Sequence, residues 1–144
     1  MKQVLITKLH QYLQGNNPEI LLQLEESGKV TEYLSLKVNT ADDLLKQYEG
    51  QPDYIIEEVC MKALTQDLRP SKFNYISNIL EEEFENKYQE FLSSGTLQFE
   101  VINMIHHCKE VFDTIGFTEE SEDSRELRYF IIGTINDYLE NRGQ

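Results

Sequence analysis

Three adjacent side chains, His106, His107 and Cys108, form the single cluster of metal-capable residue types in the sequence. Successive residues on an α-helix point about 100° apart, so these three side chains do not converge on one ion. A di-iron site would need a Glu three residues before each His, and Asn103 occupies that position before His106. His10 is the sole further histidine. We therefore expect neither a metal ion nor another cofactor.

A run of carboxylates, Glu81, Glu82, Glu83 and Glu85, raises the question of acid–base catalysis, because Glu81 and Glu85 share one face of a helix. General acid catalysis at neutral pH needs a carboxyl group held in an apolar pocket. These residues lie opposite the apolar stripe of their predicted helix. We therefore expect an outward-facing acidic surface here, and we assign no catalytic residue.

A small cationic cluster, Arg69, Ser71 and Lys72, stands where one predicted helix ends and the next begins. A helix N-terminus with adjacent cations binds phosphate or carboxylate groups, although no glycine-rich loop accompanies these residues. The alternative is a charged turn in which Ser71 lies near the helix cap. These three residues are our candidate anion site. A pocket near Arg69 and Lys72, with a tyrosine such as Tyr75, is the second functional hypothesis, a small-ligand-binding protein or an enzyme.

Short motifs that mark common enzymes are missing from the sequence. It contains no GxSxG, P-loop, HExxH, CxxC or dinucleotide-binding fingerprint. These absences exclude the enzymes that such motifs identify and exclude no other class. A protein that is not an enzyme is the favoured interpretation, and an enzyme stays open as part of the second hypothesis.

The chain is strongly acidic, with 13 Lys and Arg residues against 26 Asp and Glu residues and a formal charge of −13. Residues 1–50 carry −2, residues 51–95 carry −5 and residues 96–144 carry −6. Phosphate backbones and anionic membranes repel such a chain, so we expect no direct binding to nucleic acid or to a membrane. A basic protein is the expected partner, although solubility alone would also explain the charges. The predicted acidic surface comprises Glu81, Glu82, Glu85, Glu119, Glu120, Glu122 and Asp123.

Length and cysteine content favour one domain in a reducing compartment. At 144 residues, of which 40% are hydrophobic, the chain is long enough to bury a single core. Cys60 and Cys108 do not make a disulfide framework, and each falls on the apolar side of a predicted helix. The first residues lack the pattern of a signal peptide, and no apolar run approaches the length of a membrane span. We therefore expect a cytoplasmic location.

The stretch from Pro70 to Ser93 is the central predicted helix. Its apolar residues recur every three or four positions, which predicts an amphipathic helix. Pro70 is suited to the first helical turn, and Gly95 to the position after the last turn. The apolar stripe consists of Phe73, Ile76, Ile79, Leu80, Phe84, Tyr88 and Phe91.

Three further long helices complete an all-α, multihelical bundle. Short connections between them favour antiparallel neighbours. Residues 29–39 fit either a strand or a helix, and the helix is favoured because no second strand is available for pairing. The last helix is expected to bury Leu127, Phe130 and Ile131. The four long helices are 52–68, 70–93, 96–115 and 124–141, within a single domain of residues 1–144 in which helices of 1–50 flank a main bundle of 51–144.

Residues 57–84, EEVCMKALTQDLRPSKFNYISNILEEEF, resemble the signature stretch of an uncharacterised family of small helical proteins. That family is a domain of unknown function, found mainly in Bacteroides-type bacteria. Supporting matches are YLQGNNPE (12–19), CKEVFD (108–113) and GTINDYLE (133–140). The resemblance implies a multihelical bacterial protein, often encoded near conjugative elements, with no established activity. It supplies no functional residue.

These observations predict an interaction or regulatory module whose acidic surface contacts a basic protein, such as part of a DNA-handling or transfer apparatus. Two alternatives stay open. One is the small-ligand or anion-binding protein described above. The other is a homo-oligomeric scaffold, which would show an exposed apolar patch on the long helix. The sequence does not indicate an oligomeric state.

Overall fold

The computed structural model describes residues 1–142 and confirms the all-α class, since that part of the chain contains helices and no strand. A short 3₁₀ helix, Gln66–Leu68, follows the fifth α-helix. The α-helices are α1 (Lys2–Asn16), α2 (Pro18–Ser27), α3 (Val30–Asn39), α4 (Asp42–Gln47), α5 (Asp53–Leu64), α6 (Lys72–Glu83), α7 (Glu85–Ser94), α8 (Leu97–His107), α9 (Lys109–Ile115) and α10 (Arg125–Asn141). Within residues 1–142, no helix combines the length and apolar character needed to cross a membrane.

The ambiguous stretch after Gly28 is helical. Helix α3 buries Leu34 and Val38, which are four residues apart and therefore share one face. Gly28 ends α2 in the left-handed region at φ 69°, where a side chain would be strained. The helical interpretation of residues 29–39 was therefore correct.

The chain forms two compact units, Met1–Arg69 and Pro70–Gln144. In the first, α1 presents Leu5, Leu9 and Leu13 along one face, all fully buried. Helix α5 packs against α1 and adds its own buried stripe to the same core. The sequence placed residues 51–68 in the main bundle instead, because periodicity shows which face of a helix is buried and not what it is buried against. The core is completed by Leu21, Leu34, Val38, Ala41, Ile56, Cys60, Leu64 and Leu68.

The core of the second unit is built by α6, α8 and α10, with Phe91 from α7 and Phe112 from α9. Each of the three helices contributes residues at spacings of three or four, so one side faces inward. Full burial of such a side chain stabilises the fold by roughly 1.5–3 kcal/mol. The aliphatic residues of this core cluster are Ile76, Ile79, Leu80, Val101, Ile105, Leu127, Ile131 and Ile135.

The central helix predicted over residues 70–93 is wrong in its continuity, because two helices, α6 and α7, occupy this stretch. Phe84 separates them with φ −136° and ψ 49°, outside the helical region. The break lets α6 and α7 each pack against α8. The first turn also differs from the prediction: Pro70 precedes the helix, and Ser71 is the N-cap, accepting a hydrogen bond from Asn74 N at 3.0 Å.

Two other predicted helices are also divided. Residues 96–115 form α8 and α9, separated at Cys108, whose φ of −90° and ψ of 3° interrupt the helix. Residues 52–68 end in the 3₁₀ turn. Both breaks occur without Pro or Gly, so the usual sequence signals for a helix end were absent. The last helix is continuous, and Ser124 caps it by accepting a hydrogen bond from Leu127 N at 3.2 Å.

Candidate functional site

Arg128 on α10 connects the last helix to the carboxylates that end α6. Its Nη2 donates to Glu82 Oε2 at 2.9 Å and to Glu83 Oε1 at 3.0 Å. The hydrogen bond to Glu83, followed by the one to Glu82, raises the pKa of Arg128. Carboxylates near a helix C-terminus are disfavoured by the helix dipole, and this guanidinium offsets that effect. Glu82 is therefore an exposed residue that already has a cationic partner.

Tyr75 of α6 connects two acidic patches of the second unit, the carboxylates at the end of α6 and those of residues 119–123. Its side chain is buried at 7% exposure, and burial is the main cause that raises its pKa. The positive charge of Arg128 lowers this pKa, and the negative charge of Glu122 raises it. Phe117, just before residues 119–123, packs against the Tyr75 ring of α6, and Arg128 bonds to Glu82 and Glu83 at the end of α6. The carboxylates at the end of α6 and those of residues 119–123 thus belong to the same part of the second unit.

The connection between α9 and α10 is a hydrogen-bonded turn. Thr118 N donates to Ser121 Oγ at 2.8 Å, and Ser121 N donates to Thr118 Oγ1 at 3.1 Å. The Ser121 hydroxyl also donates to Gly116 O at 3.2 Å. Phe117 anchors the turn against Tyr75, with the two ring centroids 5.1 Å apart. The acidic side chains of this segment are therefore presented on an ordered backbone.

All seven predicted acidic-surface residues have exposed side chains. The segment Pro70–Gln144 carries a net charge of −9, compared with −4 for Met1–Arg69. The second unit therefore holds most of the negative charge of the chain. The exposed residues are Glu81, Glu82, Glu85, Glu119, Glu120, Glu122 and Asp123.

Two grooves of the second unit meet at Phe130. The first, of about 600 Å³, lies along α10 and the end of α6. The second, of about 350 Å³, lies between α9 and α10. We name the two grooves together the Phe130 surface. Its main residues are Glu83, Phe84, Tyr129, Ile132 and Asp137 in the first groove, Glu110, Val111, Ile115 and Glu126 in the second, and Phe130 in both.

Phe130 contradicts the sequence prediction, which buried it in the core. It is 47% exposed, and its neighbour Tyr129 is 72% exposed, with the two ring centroids 5.5 Å apart. The buried residues of α10 are spaced by four and are Leu127, Ile131 and Ile135. Phe130 lies about 100° around the helix from Ile131 and so falls outside that stripe. The signal that would have revealed it is the unusually wide apolar arc YFII at 129–132.

The three residues of the candidate anion site have local structural contacts. In the first unit, Arg69 caps α5, since its Nη2 donates to Lys62 O at 3.1 Å and its Nε to Thr65 O at 3.3 Å. In the second unit, Ser71 caps α6, and the Lys72 ammonium lies over the Phe112 ring, 5.1 Å from its centroid. These contacts account for all three residues as parts of helix ends. The anion site stays a prediction.

The histidine–cysteine cluster diverges as helix geometry requires. His106 and His107 are exposed while Cys108 is buried, and the His107 ring packs against Tyr138 with centroids 4.8 Å apart. Within residues 1–142, no group of three or more His, Cys, Asp and Glu side chains is arranged to hold a metal ion. Burial raises the pKa of the Cys108 thiol to about 12.

Glu100 is a buried carboxylate that the sequence did not single out. It is 3% exposed, and it accepts hydrogen bonds from Tyr138 Oη at 2.8 Å and from Arg142 Nε at 3.1 Å. Arg142 Nη2 donates to the other oxygen of the same carboxylate. The hydrogen bond to Glu100 raises the pKa of Arg142. These contacts satisfy the carboxylate and attach the end of α10 to the start of α8, which is a structural role.

Comparison with known proteins identifies one family. The model of a domain of unknown function, DUF1896, matches residues 5–143, nearly the whole chain. No curated protein and no solved structure matches. The match assigns neither an activity nor a functional residue.

Proposed function

The chain belongs to the DUF1896 family, a domain of unknown function, and from that premise we propose that it is a protein-interaction module that binds a basic protein. The acidic surface of the second unit is the binding face. Charge of one sign concentrated on one face accelerates association with a partner of opposite charge and selects against partners of like charge. Binding of this kind requires no catalytic residue and no cofactor.

One observation carries the proposal: the connection that holds residues 119–123 is flanked by contacts to α6. Phe117 packs against Tyr75 of α6 with the ring centroids 5.1 Å apart, and Arg128 bonds to Glu82 and Glu83 at the end of α6. Carboxylates separated by more than 30 residues in sequence therefore belong to one part of the second unit. A partner there experiences their summed field, which would be much weaker if the patches were on opposite sides.

The resemblance to the bacterial family also supports a proposal about the organism and the cellular compartment of the protein. We propose that the protein is bacterial, from Bacteroides-type organisms, and cytoplasmic. Both cysteines are free and buried, which suits a reducing compartment. Because the resembled family is often encoded near conjugative elements, the basic partner is proposed to handle or transfer DNA. The identity of the neighbouring genes tests this part without a protein experiment.

A matched pair of charge variants tests the binding proposal. The first replaces Glu119, Glu120 and Glu122 with Gln and Asp123 with Asn. The control replaces four exposed glutamates of the first unit, Glu25, Glu26, Glu32 and Glu58, with Gln. Both variants lose the same charge. Each is immobilised beside the unmodified chain and incubated with lysate from the source bacterium at low and at high salt, and the retained proteins are identified by mass spectrometry.

We expect the unmodified chain to retain proteins of high isoelectric point at low salt and to release them at high salt, since a Debye length near 10 Å at about 0.1 M shortens with added salt. The second-unit variant should lose these proteins and the first-unit control should keep them. Retention that is equal for both variants, or a retained set with no basic bias, would contradict the proposal.

A further inference from the structure

The Phe130 surface combines exposed aromatic rings with a border of carboxylates. Tyr129 and Phe130 are large apolar side chains that remain accessible on α10. Phe84 and Ile132 line the groove on one side of Phe130, and Val111 and Ile115 line the groove on the other. An accessible aromatic pair that adjoins apolar walls is typical of an interaction site, because aromatic residues provide much of the energy at protein interfaces.

The charge at this surface has one sign. Glu83 and Asp137 line the first groove, and Glu110 and Glu126 line the second. Of the described residues that line the two grooves, none is Lys or Arg. Arg128 contacts Glu83 beside the first groove, so the other three carboxylates make up most of the negative border. An occupant of this surface therefore needs cationic side chains next to its apolar ones.

An amphipathic helix meets both requirements. Such a helix places apolar anchors at positions i, i+3 or i+4, and i+7 along one face, which matches a groove with apolar walls. Lysine and arginine residues on its flanks reach outward past the anchors, because their long stems cover apolar surface while their charges stay solvated. A second copy of this chain is a poor occupant, since its corresponding surface carries the same negative charge.

We propose that the Phe130 surface is the docking groove for a basic amphipathic helix of another protein, with Phe130 and Tyr129 as the central apolar contacts. This inference rests on the proposed function and narrows it, from a basic partner to a basic partner of helical form. The carboxylates Glu110, Glu126 and Asp137 contact the cationic flanks of the bound helix.

A designed peptide provides the test. The probe is a helix of about 15 residues, roughly four turns, with Leu at the anchor positions and Lys elsewhere. The control peptide has the same composition, with Leu distributed around the helix. Affinity for the full-length chain is measured by fluorescence anisotropy. The variants are Tyr129→Ala with Phe130→Ala, the matched control Phe99→Ala, and the triple variant Glu110→Gln, Glu126→Gln and Asp137→Asn.

Phe99 is a stringent control because it is 65% exposed and belongs to the same unit, on α8. We expect the amphipathic probe to bind roughly tenfold more tightly than its rearranged control, and the double aromatic variant to lose about tenfold in affinity. Phe99→Ala should change the affinity less than twofold. The triple charge variant should bind more weakly and with a smaller salt dependence. Circular dichroism of each variant verifies that it is folded.

The outcomes separate this inference from the proposal on which it rests. If the variant at Glu119, Glu120, Glu122 and Asp123 weakens binding of both peptides, while the two peptides bind equally and the aromatic variants change nothing, the docking groove is refuted and the acidic binding function stands. If neither basic peptide binds, both are refuted. If sedimentation shows that the chain associates with itself and that Phe130→Ala abolishes this association, the occupant is a second copy and the inference is overturned.

Discussion

Replacing Arg142 with Met should destabilise the second unit, because it removes the cationic partner of a buried carboxylate. Glu100 has a side chain that is 4% exposed, whereas the Arg142 side chain is 33% exposed. Removing one member of a fully buried ion pair costs about 3–5 kcal/mol, and an exposed pair contributes about 0.2–1 kcal/mol. This pair lies between those limits. Tyr138 still donates to Glu100 in the variant, so we expect a loss of about 2 kcal/mol in the free energy of unfolding.

Urea denaturation followed by far-ultraviolet circular dichroism measures this loss. The matched control is Arg125→Met, an exposed position on the same helix, for which we expect a change within about 0.5 kcal/mol. Combining Arg142→Met with Glu100→Gln should restore part of the lost stability, because the second change removes the buried charge that the first left without its partner.

The reasoning would be refuted if Arg142→Met cost no more than Arg125→Met. It would also fail if the two changes at Glu100 and Arg142 were simply additive, since additivity would mean that the two groups do not interact in the folded protein. Added salt should have little effect on the result, because a pair with one buried member is weakly screened.

Helical periodicity made the all-α class predictable, and for α10 it also predicted most of the packing. Leu127, Ile131 and Ile135 are spaced by four and are fully buried, and Ser124 caps the helix. Phe130 was the exception, because its apolar character alone placed it in the core. Burial depends on the position around the helix as well as on residue type, and the apolar arc of α10 is wider than the face that the core covers.

The breaks between the helices could not be predicted from the sequence. Phe84 leaves the helical region without Pro or Gly, and its apolar side chain continues the three-to-four spacing of α6 into α7. Tertiary packing against α8 determines the break, and local propensity does not report it. The same limit applies to α5, which the sequence predicts as a helix with Cys60 on its apolar side, whereas its packing against α1 is not predicted.

Of the candidate site, only the acidic residues could be predicted from the sequence. Charge density singled out the glutamates of residues 81–85 and 119–122, and their exposure follows from their position opposite the apolar stripe. Their adjacency depends on contacts between residues distant in sequence, Arg128 with Glu82 and Tyr75 with Phe117. The role of the acidic surface in binding is still a prediction.

Four further predictions concern stability and thiol chemistry. The Cys108 thiol, with its pKa raised to about 12 and no exposure, should react with a thiol reagent at pH 8 on the order of a thousandfold more slowly than a free cysteine does. Because this thiol ionises more readily in the unfolded chain, its contribution to the free energy of unfolding is complete below about pH 9 and is lost as pH rises toward 12. The free energy of unfolding should therefore fall as pH rises through this range, and Cys108→Ala should make that fall less steep. Rapid labelling of the folded protein would contradict both statements. Ile131→Ala should cost about 2–5 kcal/mol in urea denaturation and the partly exposed Ile132→Ala clearly less, and equal costs would show that the core is assigned to the wrong face of α10. Ser124→Ala should cost about 1 kcal/mol and Thr96→Ala, which removes no cap hydrogen bond, only a few tenths, and the reverse order would contradict the cap assignment.

The most direct test of a binding role for the second unit is a nuclear magnetic resonance titration of the isotope-labelled chain with the amphipathic lysine–leucine helix. Backbone amide shifts report which residues the peptide contacts. We predict that the largest shifts fall at the Phe130 surface, residues 83–84, 110–115 and 126–137, and at the acidic segment of residues 119–123, with residues 1–69 unchanged. Shifts that are largest within residues 1–69, or that spread evenly over every acidic residue of the chain, would contradict the account.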